Sequence, residues 1–318
     1  MRYSSLFFAI CVVLGGGLLP SSVCAQNTAT LPPSALNGSG NLQWQWHPVQ
    51  PLGPYKPIEA RVTKELRIQK SFVLGTGFEE RRVEVDNFTG SIEITGTASD
   101  GVKLVVLQTF RAESQEALDK SQQEVRLDIA QDRGVLKLAV NGPFRCEQSC
   151  AGLEQHTGYS VKMDFQLQVP EQTAIKLNTV NEGHILVTNV RGHYEVRNVN
   201  GDIDMRDIAG SGMIRAVNGG VRVSFLENPQ KSSSFGSVNG NVDLYFTKDL
   251  SADFYLKTFN GGVRSDFSMN SIPPSNQLQD GKLVLSSDRY TAARVGSGGP
   301  QIQVDTLNGN IHILERHD

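Results

Sequence analysis

Three carboxylates crowd the stretch GDIDMRD (201–207): Asp202, Asp204 and Asp207. Closely spaced carboxylates are the raw material of a calcium site, which gathers about six to eight oxygen ligands. Repeated calcium loops, however, need Gly-rich nonapeptides with Asp at one fixed phase. The positions equivalent to Asp202 read Gly220, Asn241, Gly262 and Asn310, so the stretch reads as a solvated face. Asp204 and Asp243 recur at the same place in a repeat, and clustered carboxylates beside a basic group are what a β-helical polysaccharide-cleaving enzyme uses. Each has Arg222 or Arg264 at the equivalent position of a following copy, which favours mutual neutralisation over acid–base work.

Other candidate chemistry thins out in the same way. Cys146 and Cys150, even with His156 nearby, match no zinc or haem spacing. In an exported chain such a pair reads as a disulfide closing a small loop. The six histidines fall in no ligand pattern and in no Ser-His-Asp arrangement. GSGGP (296–300) lacks the Lys-Ser/Thr ending of a phosphate loop and precedes a strand. No metal, cofactor or catalytic constellation is expected, and the chain is not expected to be an enzyme.

What positions these residues is a repeat. RNVNGDIDM, RAVNGGVRV, GSVNGNVDL, KTFNGGVRS and DTLNGNIHI centre on Gly201, Gly219, Gly240, Gly261 and Gly309, with weaker copies at Gly90 and Gly183. Separations of 18, 21 and 21 residues, then 48, suggest a stacked array. Asn-Gly tolerates positive φ and marks a turn that every unit makes at the same place. Two and four residues after the Gly lie Ile203/Met205, Val221/Val223, Val242/Leu244, Val263/Ser265 and Ile311/Ile313, apolar except for Ser265. Five before it come Val196, Ile214, Phe235, Leu256 and Val304, a second inward column. Between the first pair the outward column reads Asp204, Arg222, Asp243, Arg264, His312. Its alternating signs suit strands stacked about 4.8 Å apart and do not suit a hairpin meander. Asn200, Asn218, Asn239, Asn260 and Asn308 then form a ladder. Four before the Gly, Arg197, Arg215 and Lys257 offer an anion-binding stripe, interrupted by Gly236 and ended by Asp305.

The expected fold is all-β: a right-handed parallel β-solenoid over 171–318, capped by an N-terminal strand region (61–170) with one helix in AESQEALDKSQQE (112–124). The charged tail ERHD (315–318) would blunt the far end. Ahead of these, residues 26–60 read as a Pro-rich linker containing Trp44 and Trp46. Residues 1–25 read as a signal peptide, with an apolar run from Leu6 to Leu19 and small residues before Gln26. The run is short for a membrane span, so none is expected after cleavage. A net charge of −3 gives no support to nucleic-acid binding.

Residues from about 78 to 316 resemble a bacterial β-strand-repeat family described as putative adhesins of otherwise unknown function, related to β-helical GIN head domains. FEERRVEVDNFTGSIEI, DFQLQVPEQTAIKLNTVNEG, the V-N-G series and GSGGPQIQVDTLNGNIHI carry the resemblance. The Pro-rich leader and the Cys146/Cys150 pair depart from it. It implies an exported solenoid with no assigned chemistry. The expectation is therefore an adhesin-like binding or scaffold module in the periplasm, at the cell surface or secreted, its partner an unidentified envelope protein or glycan. The alternatives are a polysaccharide-active β-helix enzyme and an envelope regulator acting on a membrane partner.

Overall fold

A computed structural model describes residues 58–74, 81–145, 158–273, 278–279, 282–283 and 290–317. The signal segment, Trp44, Trp46, Cys146 and Cys150 lie outside the described residues. Within them the chain is all-β with one helix, Gln115–Glu124, which Ser114 starts by accepting a hydrogen bond from the Ala117 N–H. Leu118 of this helix is buried, and the helix packs on the strands Gly101–Ala112 and Tyr159–Pro170.

The strands form two large mixed sheets, of ten and eleven strands, and a separate two-stranded pair. Each repeat contributes the strand before its Asn-Gly to the eleven-stranded sheet and the strand after it to the ten-stranded sheet; we call such a pair a rung. Rung 194–208, for example, joins Tyr194–Asn200 to Ile203–Ile208. Successive rungs pair parallel and in register: Val196 with Ile214, Ile214 with Phe235, Ile203 with Val221, Val221 with Val242. Inward alternation puts Val196, Ile214, Phe235, Val304, Ile203, Val221, Val242 and Ile311 in one core, each at most 1% exposed. That core continues across position 170, because Arg82–Asp86 and Ile92–Thr97 form a rung under residues 174–188.

Among the rungs, stacking order departs from chain order at one place. The run is 82–97, 174–188, 194–208, 212–225, 233–246, then 301–315, and only then 252–265. The C-terminal rung is inserted between two rungs that precede it in sequence: Phe235 pairs with Val304, and Val304 with Leu256. The reason lies in the apolar columns. Ile311 and Ile313 need cover on both sides, whereas Val263, 45% exposed, and the polar Ser265 suit an end. The charged tail accordingly does not blunt the far end. Arg316 reaches back to the Phe225 carbonyl at 3.1 Å and pairs with Asp207 at 2.8 Å.

Every corner is built the same way. On its outside the Asn amides run unbroken through the insertion: Asn200 donates to Asn181, Asn218 to Asn200, Asn239 to Asn218, Asn308 to Asn239 and Asn260 to Asn308, at 2.7–3.1 Å. The reason for the glycines differs from the sequence expectation. Of the repeat glycines, only Gly90 and Gly201 have φ in the left-handed region. What all share is close approach: a Cβ on Gly219 would lie 2.2 Å from the Gly201 carbonyl oxygen, and on Gly261 1.9 Å from that of Gly309.

On the inside of the corner, three residues before the Gly, side-chain donors hold corner carbonyls of this kind. Asn198 reaches Gly183 O, Ser237 reaches Gly219 O, Thr306 reaches Gly240 O and Thr258 reaches Gly309 O, at 2.8–3.0 Å. Ala216 alone among the five brings no donor. Ala216→Ser is therefore expected to raise stability by about 1 kcal/mol, and Thr306→Val to lower it by about 1–3 kcal/mol, in thermal melts.

Candidate functional site

The two outer faces are chemically unlike. On the ten-stranded sheet the outward column places Asp204 beside Arg222 and Arg222 beside Asp243, with Arg222 and Asp243 3.8 Å apart. Arg264 does not follow Asp243, because the inserted rung puts His312 between them; His312 Nδ1 lies 2.7 Å from Asp243 Oδ1. Asp204 also binds Arg206, two residues along its own strand. The neighbouring column is a second acceptor ladder: Asp202 accepts from the Gly220 N–H, Asn241 from Asn310 and Asn310 from Gly262, at 2.7–2.9 Å. The carboxylates of GDIDMRD thus bond protein groups, and no cluster of three metal-ligating side chains occurs among the described residues. Asp204, Arg222, Asp243 and His312 thus alternate acid with base along this face, while Asp204 Oδ1 is buried without a hydrogen-bond partner among the described residues.

On the eleven-stranded sheet, the column six residues before the Gly begins as a charge ladder that the sequence reading missed. Lys137, Glu84, Lys176 and Glu195 alternate in register, with pairs at 3.5 and 3.7 Å. Toward the other end the same column changes to Met213, Ser234, Gln303 and Tyr255. There a cleft of about 310 Å³ opens, lined by Gly212, Ser232, Ser233, Ser234, Tyr255, Tyr290, Gln301 and Gln303.

Tyr290 comes from outside the repeat. The next strand, Thr291–Val295, pairs antiparallel with Ala252–Leu256, and Arg294 fastens it by two bonds of 2.7 and 2.8 Å to Asp253. Those hydrogen bonds hold the Asp253 carboxyl below its usual range. Gln303 donates to the Tyr290 hydroxyl at 2.7 Å, and the Lys257 ammonium lies 5.6 Å from the ring centroid. Beneath the cleft Tyr194 is buried, packed across Gly212 beside Ser233, and its hydroxyl has no hydrogen-bond partner of normal geometry among the described residues. Burial pushes that phenol well above its ordinary pKa, so it stays a neutral donor.

The expected anion-binding stripe runs beside this cleft but is not a row of bare cations. Arg197 and Arg215 are adjacent in register, and Arg197 binds Glu195 at 2.9 Å. Arg215 lies across side-chain-free Gly236 to reach Asp305 at 2.7 Å, so Asp305 stands between Arg215 and Lys257. Immediately before the corner Asn (Thr89 in the first copy), a further outward column is apolar throughout: Phe88, Val180, Val199, Val217, Val238, Leu307 and Phe259. Phe88 is covered by Phe144, while Phe259 at the far end is 75% exposed. The cleft residues could have been flagged from sequence by reading the six-before column, where charges give way to amide and phenol. No period could have placed Tyr290.

Residues 164–314 match the family described as Toastrack DUF4097. Among solved structures, a putative cell adhesion protein from Clostridium sporogenes is 12% identical, the match covering 80% of this chain and 100% of that one, with a TM-score of 0.39. A putative adhesin from Bacteroides fragilis is 10% identical over 79% of this chain and 97% of that one, TM-score 0.31. A putative lipid binding protein from Parabacteroides distasonis is 10% identical over 80% and 97%, TM-score 0.28. No curated protein matches the chain. No helix among the described residues is long and apolar enough to cross a membrane.

Proposed function

We propose that the protein, whose residues 164–314 match the Toastrack DUF4097 family, is an exported, non-enzymatic, adhesin-like binding or scaffold module of the cell envelope. In this reading the rungs wind as a right-handed parallel β-solenoid, the hand that parallel crossovers take almost without exception. Export is supported by the apolar run Leu6–Leu19 and the small residues that follow.

One observation carries the reading: the chain neutralises one long face with its own ladders and leaves an uncharged cleft beside an apolar column on the other. That second face combines hydroxyls, amides and phenols with desolvatable apolar surface, as binding faces do.

The experiment is subcellular fractionation with site-specific photo-crosslinking. A crosslinker at Ser234 is expected to join the protein to envelope material, and one at Arg222 is not. Release of reducing ends from polysaccharide by the purified protein, abolished by Asp204→Ala or Asp243→Ala, would overturn the non-enzymatic reading.

A further inference from the structure

We propose that the cleft beneath Tyr290 is a subsite for a neutral saccharide of one or two pyranose rings; this deepens the binding-module reading above and rests on it. The lining supplies three serine hydroxyls, two glutamine amides and two phenols, and no charged side chain. Such a surface is matched by a ligand that is polyhydroxylated and uncharged. Gln303 and Tyr290 bond each other and Ser234 accepts from Arg215, while Ser232, Gln301 and the Tyr255 hydroxyl offer hydrogen bonds in both directions to ring hydroxyls, and the Tyr255 ring offers a face for the apolar C–H side of a pyranose. The volume of about 310 Å³ stands at the lower end of ordinary small-ligand sites, about 300–1,000 Å³.

Other ligand classes fit less well. An anionic ligand would need a cation in the lining, which holds none; the nearby guanidiniums are engaged, Arg215 with Asp305 and Arg294 with Asp253, each at 2.7 Å, and the Lys257 ammonium stands against the Tyr290 ring, 5.6 Å from its centroid. An extended peptide binding by strand addition needs an open edge. Ser233–Asn239, Gln301–Asn308 and Ala252–Asn260, which floor the cleft, are each paired on both sides. A purely apolar ligand would leave Ser232, Gln301 and the Tyr255 hydroxyl without partners.

The test uses the full chain on an array of neutral oligosaccharides built from glucose, galactose, mannose and N-acetylglucosamine, beside counterparts bearing uronic or sialic acids. Hits are followed by saturation-transfer NMR, with thermal melts to confirm that each variant is folded. The expected result is binding to neutral members, weakened about tenfold or more by Tyr255→Ala and by Gln303→Ala, the scale of a hot-spot truncation. Arg222→Ala on the opposite face should leave it unchanged. Hits confined to acidic sugars, neutral hits indifferent to both cleft variants, or no hits at all would overturn the proposal. If wild type still binds washed envelopes in the last case, the module reading survives without it; if it binds neither, both fall.

Discussion

Gly219→Ala is expected to destabilise the folded chain by about 3 kcal/mol or more, a fall in Tm of about 10 °C for a domain of this size, while Gly220→Ala is expected to be nearly silent. The two glycines are neighbours in sequence, and helix or strand propensity would treat them alike. A Cβ at Gly219 would stand 2.2 Å from the Gly201 carbonyl oxygen and 2.5 Å from its carbon. Both belong to the backbone of the rung beneath, so no side chain can rotate away. Relief would require prying two rungs apart, breaking the corner hydrogen bond from the Gly201 N–H to the Asn218 carbonyl at 3.0 Å. At Gly220 the nearest atoms are 3.6 and 3.7 Å away, ordinary contact, and the N–H that binds Asp202 is retained by Ala. Chemical denaturation of the two variants gives the comparison. Equal losses would mean that rung spacing does not set the need for glycine.

The second expectation concerns Ile311 and Val263, which occupy the same position in two repeats. Ile311→Ala is expected to cost about 2–5 kcal/mol, the range for buried aliphatic truncation, and Val263→Ala less than about 1 kcal/mol. The extra methylene of Ile accounts for only about 0.8 kcal/mol of the difference. The remainder is position: Ile311 has no exposed surface and lies between Val242 and Val263, whereas Val263 is 45% exposed with Ile311 on one side only. Were the rungs stacked in chain order, Ile311 would be the outermost and the two results would change places. Urea unfolding of both variants separates the arrangements.

Much of the architecture was legible because a stack repeats its solutions. The inward columns, the Asn ladder and the neighbouring of Asp204, Arg222 and Asp243 all follow from aligning the Asn-Gly corners. The order of the last two rungs was not, and the physical reason is specific. Identical corners fit one another in any order, so local period carries no information about which rung sits where. The deciding signal was present as the one polar residue in an apolar column, Ser265, which marks a rung needing cover on one side only. Similarly, Gly236 read as an interruption in a basic stripe, when its missing side chain is what lets Arg215 span a rung to Asp305. The cleft was harder still, since Tyr290 is brought to it by an antiparallel strand outside the repeat.

The late insertion has a consequence for how the molecule comes into being. A chain made from its N-terminus delivers residues 233–265 well before 301–315, yet the two earlier rungs meet only through the later one. Until the final stretch arrives, either a gap stands open between them or a premature pairing has to be undone. The closing contacts, such as Asn308 on Asn239, join positions 69 apart in sequence. Assembly therefore ends as a keystone arch does, with the last piece set between supports already standing, and a chain cut short by one rung loses the joint that ties its upper end together.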